Sequence, residues 1–133
     1  MNAVRTVGAI VAGMVVAIIL LVAVEAFSAV VHPFPPGFSG TMEAMCEHVA
    51  RYPQWVLAVV VPAWAFTAFA STWTAGRIGN PVSAIIIGIL LLAGAVCNVL
   101  KLPYPSWFFA AILFVIPIAI IVGGRQSLRR RTA

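Results

Sequence analysis

The chain has 133 residues, 63% of them hydrophobic and only 8% charged, with a mean hydropathy of +1.11. That composition excludes both a water-soluble domain and a disordered segment. The net charge of +5 is concentrated at one end, in Arg125, Arg129, Arg130 and Arg131; such a tail marks membrane topology and contact with anionic lipid headgroups, while nucleic-acid binding would need an accompanying aromatic-basic surface.

Charges punctuate the rest of the chain at regular intervals. Arg51, Arg77, Lys101 and Arg125 stand 26, 24 and 24 residues apart with no charged side chain between neighbours, and a helix needs about 20 residues to cross hydrocarbon. With the uncharged run from Thr6 to Val24, this predicts four spans at about 5–31, 53–76, 82–101 and 106–123, in a single transmembrane domain covering 1–133. The first run exceeds the roughly 7–15 apolar residues of a signal peptide and meets Glu25 instead of a small-residue cleavage site, so a retained helix is expected. Within it Ala9, Gly13 and Ala17 recur every fourth residue and allow close helix packing. The helix should end before Pro33, because the prolines at 33, 35 and 36 remove donors and disfavour helix in the residues before them.

Residues 32–52 are then an outer loop, with a short helix at about 41–50 capped by Ser39 or Thr41. Span two opens on Tyr52-Pro53-Gln54-Trp55, contains Pro62 and carries the small-residue row Ala63, Thr67, Ser71, Ala75. Asn80-Pro81 makes a tight turn into span three, which places Ala84 and Gly88 on one face. Span four opens on Tyr104-Pro105-Ser106-Trp107 and contains Pro117, and a basic tail at 124–133 follows. Spans two and four open alike and close on Ala75-Gly76-Arg77 and Gly123-Gly124-Arg125. The expected architecture is an all-α integral membrane four-helix bundle, two helical hairpins in a weak parallel repeat. Proline in the first turn, aromatics at the interface and arginine at the cytoplasmic end produce the same pattern without duplication.

Orientation follows from the distribution of basic residues. Arg5, Arg77 and the four C-terminal arginines fall on one side, Arg51 and Lys101 on the other with Glu43 and Glu47. The positive-inside rule makes both termini cytoplasmic.

The remaining chemistry gathers on the outer side. Glu25, Ser28 and His32 lie at i, i+3 and i+7 and share one face of helix one. An acid beside a span is read as functional, with a partner to be named; Lys101 and Asn98, at the end of span three, are the candidates. Twenty residues beyond Arg5, roughly 30 Å of helix, places Glu25 near the outer boundary, where solvation is an alternative to a partner. Glu25 tied to Lys101 in a tightly packed interior would speak for a structural role, and an unpaired Glu25 facing a cavity for transport. Glu25, His32, Cys46, Glu47 and His48 are candidate ligands for zinc or copper, although no HxxxH, HExxH or CxxC spacing groups them. No cofactor other than such an ion is expected. Cys46 and Cys97 fall on the same side, where a disulfide between them is an alternative to an inert thiol at Cys97. No nucleophile, base and acid come together in the pattern, so no enzyme is expected.

Glu25-x6-His32 followed by Pro35-Pro36-Gly37, the Ala63-Trp64-Ala65 segment running to Arg77-Ile78, the Pro103-Tyr104-Pro105-x-Trp107 turn, and Pro117 with Gly123-Gly124 resemble a group of small four-helix bacterial inner-membrane proteins without an established activity. The resemblance spans nearly the whole chain and implies that fold and a bacterial inner membrane. That group often has histidine between the two prolines where this chain has Tyr104, which counts against a metal site shared through His32. The leading expectation is a non-enzymatic structural or accessory subunit, self-associating or bound to a membrane-protein partner. The alternative is a small-solute or metal-ion transporter or sensor using Glu25 and His32 at an outward-facing site.

Overall fold

The computed structural model describes residues 2–132, with side chains through residue 129. It is all-helical: α1 (Ala3–Val31), α2 (Met42–Ala50), α3 (Gln54–Ile78), α4 (Pro81–Lys101) and α5 (Ser106–Thr132). Four of these, α1, α3, α4 and α5, are long and apolar enough to cross a membrane. Local chemistry sets their starts. The Asn2 side chain accepts from the Val4 amide, that of Thr41 from Ala44, and that of Asn80 from Ser83, with Pro81 at the first helical position of α4. α1 stops at His32, immediately before Pro33. Gly37 and Gly40, both at φ 76°, reverse the chain between α1 and α2 in a conformation that side chains disfavour.

The arrangement is not the four-helix bundle of two equivalent hairpins expected from the sequence. Five helices form among the described residues, the four spans and the short outer-loop helix expected at about 41–50, which runs Met42–Ala50 with Thr41 as its cap. The four long helices are also unequal: α3 packs against α1, α4 and α5, and α4 against α1 and α5, whereas among the described residues α1 and α5 do not pack together. A repeat exchanging α1 with α4 and α3 with α5 would require α1 to meet α5 as α4 meets α3. The cause is the placement of small residues. A Cβ at Gly13 would stand 3.0 Å from the Ser71 carbonyl and 3.1 Å from Ala75, so α1 lies directly on α3. On another side of α3, Gly76 faces Ser127 and the Phe69 backbone faces Gly123, so α5 crowds onto the same helix.

α5 also does not end at 123 as the sequence suggested. It continues to Thr132, carrying Arg125 and Arg129 outward on helical backbone. Gln126, Leu128 and the arginines are good helix formers, and the Ser127 hydroxyl donates to the Gly124 carbonyl at 2.7 Å. The Arg130 and Arg131 side chains lie outside the described residues.

Two polar ties mark the two ends of the array. At the end that holds both termini, Arg5 Nε donates to the Ile78 carbonyl at 2.7 Å and Asn80 Nδ2 to Thr6 Oγ1 at 2.9 Å. At the loop end, the Trp107 indole N–H donates to the Gln54 side-chain oxygen, so the two similar turns that open α3 and α5 lie side by side. Below them a core of Val56, Leu57, Val60, Val99, Phe108 and Ile112 joins α3, α4 and α5. Large apolar side chains such as Val11, Ile18, Phe66, Ile85 and Phe114 face outward, as lipid-contacting helices require.

Candidate functional site

The loop end is built around His48. His32 closes α1, and its Nε2–H donates to the His48 carbonyl at 2.9 Å; a carbonyl only accepts, so the neutral ring is protonated at Nε2. The two imidazoles stack with centroids 4.2 Å apart, Phe34 lies 4.5 Å from the His48 ring, and Tyr52 lies 4.4 Å from the His32 ring. His48 is 6% exposed. Burial, and then the neighbouring His32, push its pKa below the ordinary value.

A folded-state pKa below the unfolded one means that folding releases protons, so this packing is at full strength above pH 6.5 and weakens as pH falls below it. Amide exchange across Met42–Ala50 should therefore accelerate, relative to its intrinsic rate, between pH 7.5 and pH 5 by several-fold. A His48→Phe variant, which keeps the ring stack but cannot titrate, should lose that acceleration. Equal pH dependence in both proteins would remove His48 as the cause.

Beneath this cluster stand two phenols. Burial raises the pKa of Tyr52, with Glu25 adding to the rise and a hydrogen bond with Ser28 opposing it. Tyr104 is raised further, by burial first and then by Tyr52 and Glu25. Ser28, expected to share one face of the outer end of α1 with Glu25, is buried beside Tyr52. Tyr104 stacks on the fully buried Phe108 at 4.6 Å, and Trp64 meets the same ring edge-on at 5.7 Å.

Glu25 is separate from the histidines. It opens into a lateral groove of about 490 Å³ between α1, α3 and α4, whose walls include Leu21, Trp64, Thr67, Leu91 and Asn98. Such a volume lies within the roughly 300–1,000 Å³ of small-molecule sites. The groove has a simple origin in sequence. The fourth-residue row of α1 runs Ala9, Gly13, Ala17, Leu21, Glu25. Its small members seat α1 on α3 and beside Ile87 of α4, and the larger ones hold the helices apart. Among the described residues Glu25 makes no ion pair or hydrogen bond with Lys101 or Asn98, and the buried Asn98 Oδ1 has no donor. Thr67, at the groove wall, donates its hydroxyl to the Ala63 carbonyl at 2.9 Å.

Several expected groupings do not form. His32 and His48 meet, but among the described residues no three His, Cys, Asp or Glu come together to hold a metal, so the set Glu25, His32, Cys46, Glu47 and His48 is not assembled. Cys46, half-buried on α2, and Cys97, exposed on α4, are both free thiols and the bridge between them is not made. Glu43, Glu47, Lys101, Arg125 and Arg129 are exposed, and Arg77 is half-buried. A second hollow of about 270 Å³ lies between the proline loop and α2, with Glu47, His48 and Arg51 at its edge. Tyr52, Tyr104 and Trp64 were not singled out as site residues from sequence; their signal was the pair of Tyr-Pro-x-Trp openings and the Ala-Trp-Ala segment. Compared with protein-family models, curated proteins and solved structures, the chain matches none.

Proposed function

We propose that this is a non-enzymatic four-span protein of the bacterial inner membrane, with both termini cytoplasmic, that binds a small lipophilic solute in the groove beside Glu25 for transport or sensing. The observation that carries the reading is an exposed carboxylate, with no ion pair among the described residues, at the edge of an open and largely apolar groove on the span surface. Holding an acid there is costly unless something uses it. A Glu25–Lys101 tie would have favoured the structural reading, and among the described residues that tie is not made. His32 belongs to the loop packing with His48 and has no part in the proposed site. The arginines beyond each inner end and the resemblance of the motifs to small bacterial inner-membrane proteins support the location and orientation.

The reading is tested by labelling the protein in lipid nanodiscs with a neutral twelve-carbon alcohol bearing a photoreactive diazirine. Saturable labelling of Trp64 and Leu91 is expected. Gly94 lines the groove, and a Cβ there would meet nothing within 4 Å. Gly94→Phe should therefore abolish the saturable labelling without lowering thermal stability. Unsaturable labelling spread evenly over Ile18, Ile85 and Phe114 would overturn the reading.

A further inference from the structure

We propose that the groove selects elongated amphiphiles with a protonated primary or secondary amine as head group, an inference that rests on the solute-binding reading above. Its charged and amide groups lie toward one end, and the deeper Thr67 hydroxyl is already donated to the Ala63 carbonyl. α1 and α4 both run toward the loop end, so Glu25 and Asn98 mark the outer part of the groove, while Met14 and Leu90 mark its depth. From Met14 to Glu25 is roughly 16 Å of helix rise, walled between by Leu21, Leu91 and Ile116. An occupant that fits this shape has a slender apolar body and a compact polar end.

The unmet polar demand fixes the sign and the protons of that end. Glu25 contributes an anion with no cationic partner, and Asn98 Oδ1 is a buried acceptor with no donor. A buried acceptor left unsatisfied is costly, and satisfying it with a charged donor recovers more than a neutral contact does. An ammonium carrying N–H groups answers both, pairing with Glu25 and, once the Asn98 side chain turns its covered oxygen to the groove, donating to it. A quaternary ammonium has the charge but no proton to donate. An alcohol has a donor but no charge, and a carboxylate repels Glu25. Lys101, the nearest fixed cation in sequence to Asn98, is exposed on α4 and does not occupy this role.

The test is competition against the diazirine alcohol in nanodiscs, at matched mole fraction in the bilayer, by dodecylammonium, dodecyltrimethylammonium, dodecanol and dodecanoate. Dodecylammonium should compete about tenfold better than the trimethyl compound, as expected for one hydrogen bond to a charged donor, and better still than the alcohol and the acid. Glu25→Gln should remove the advantage of both cations over dodecanol. Asn98→Leu should remove only the advantage of the primary amine over the quaternary one, while thermal stability is kept because an unsatisfied buried oxygen is lost. Equal competition by all four compounds overturns this proposal and leaves the groove reading in place. Equal competition by the two cations also overturns it, since the Asn98 acceptor would then have no part. No competition by any compound defeats both.

Discussion

Replacing Phe108 by alanine should lower the stability of the protein by about 3 kcal/mol, at the lower end of the range for removing a buried phenylalanine. The side chain is completely buried and is the ring on which Tyr104, Trp64 and Trp107 converge, with centroids at 4.6, 5.7 and 6.0 Å. Lipid tails are as apolar as this core, so the loss is mainly of packing contacts and not of transfer from water. The empty space would open beside the outer part of α3 and loosen the start of α5. Phe114, on the same helix, is 73% exposed and should tolerate alanine to within about 0.5 kcal/mol. Unfolding in mixed micelles of increasing sodium dodecyl sulfate content, followed by circular dichroism, compares the two. Similar midpoints for both variants would show that the convergence of rings does not hold the core.

The second large effect is expected at Gly123. A Cβ there would stand 2.7 Å from the Phe69 carbonyl oxygen and 3.3 Å from the Phe69 Cα and carbonyl carbon, all backbone atoms that no rotamer change can move. Gly123→Ala should force α5 away from α3 and cost about 1–3 kcal/mol, even though alanine is intrinsically the better helix residue by about 1 kcal/mol. Gly8 has nothing within 4 Å of its missing Cβ, so Gly8→Ala should be neutral or mildly stabilising in the same assay. Opposite signs at two helical glycines separate contact from propensity. If Gly123→Ala behaved like Gly8→Ala, the close crossing of α3 and α5 would be wrong.

The spans were legible because charge is so expensive in hydrocarbon that its spacing along the chain outlines them. The packing was less legible. The Gly76 and Gly123-Gly124 pairs looked like signatures of repeated helix ends, and in the structure Gly76 and Gly123 are points of contact, each against the opposite helix. That distinction depends on which helices meet, and local pattern does not encode it. The groove was half legible. The Ala9, Gly13, Ala17 row was visible as a packing stripe, and its continuation through Leu21 to Glu25 turns the same row from contact into wall. The pairing of His32 with His48 was hidden, because the two are sixteen residues apart and a chain reversal through two left-handed glycines brings them together.

The hydroxyls of α3 bear on how the protein is made. Thr67, Ser71 and Thr74 donate to the Ala63, Thr67 and Ala70 carbonyls one turn earlier in their own helix. Although α3 is the least apolar span, these three hydroxyls need no other helix to satisfy them, unlike that of Thr72, which is buried without a partner among the described residues. During synthesis α3 emerges directly after α1 and the short α2, and it presents the surface on which both α4 and α5 come to rest. In chain order, each later span thus finds its docking surface on a helix that precedes it.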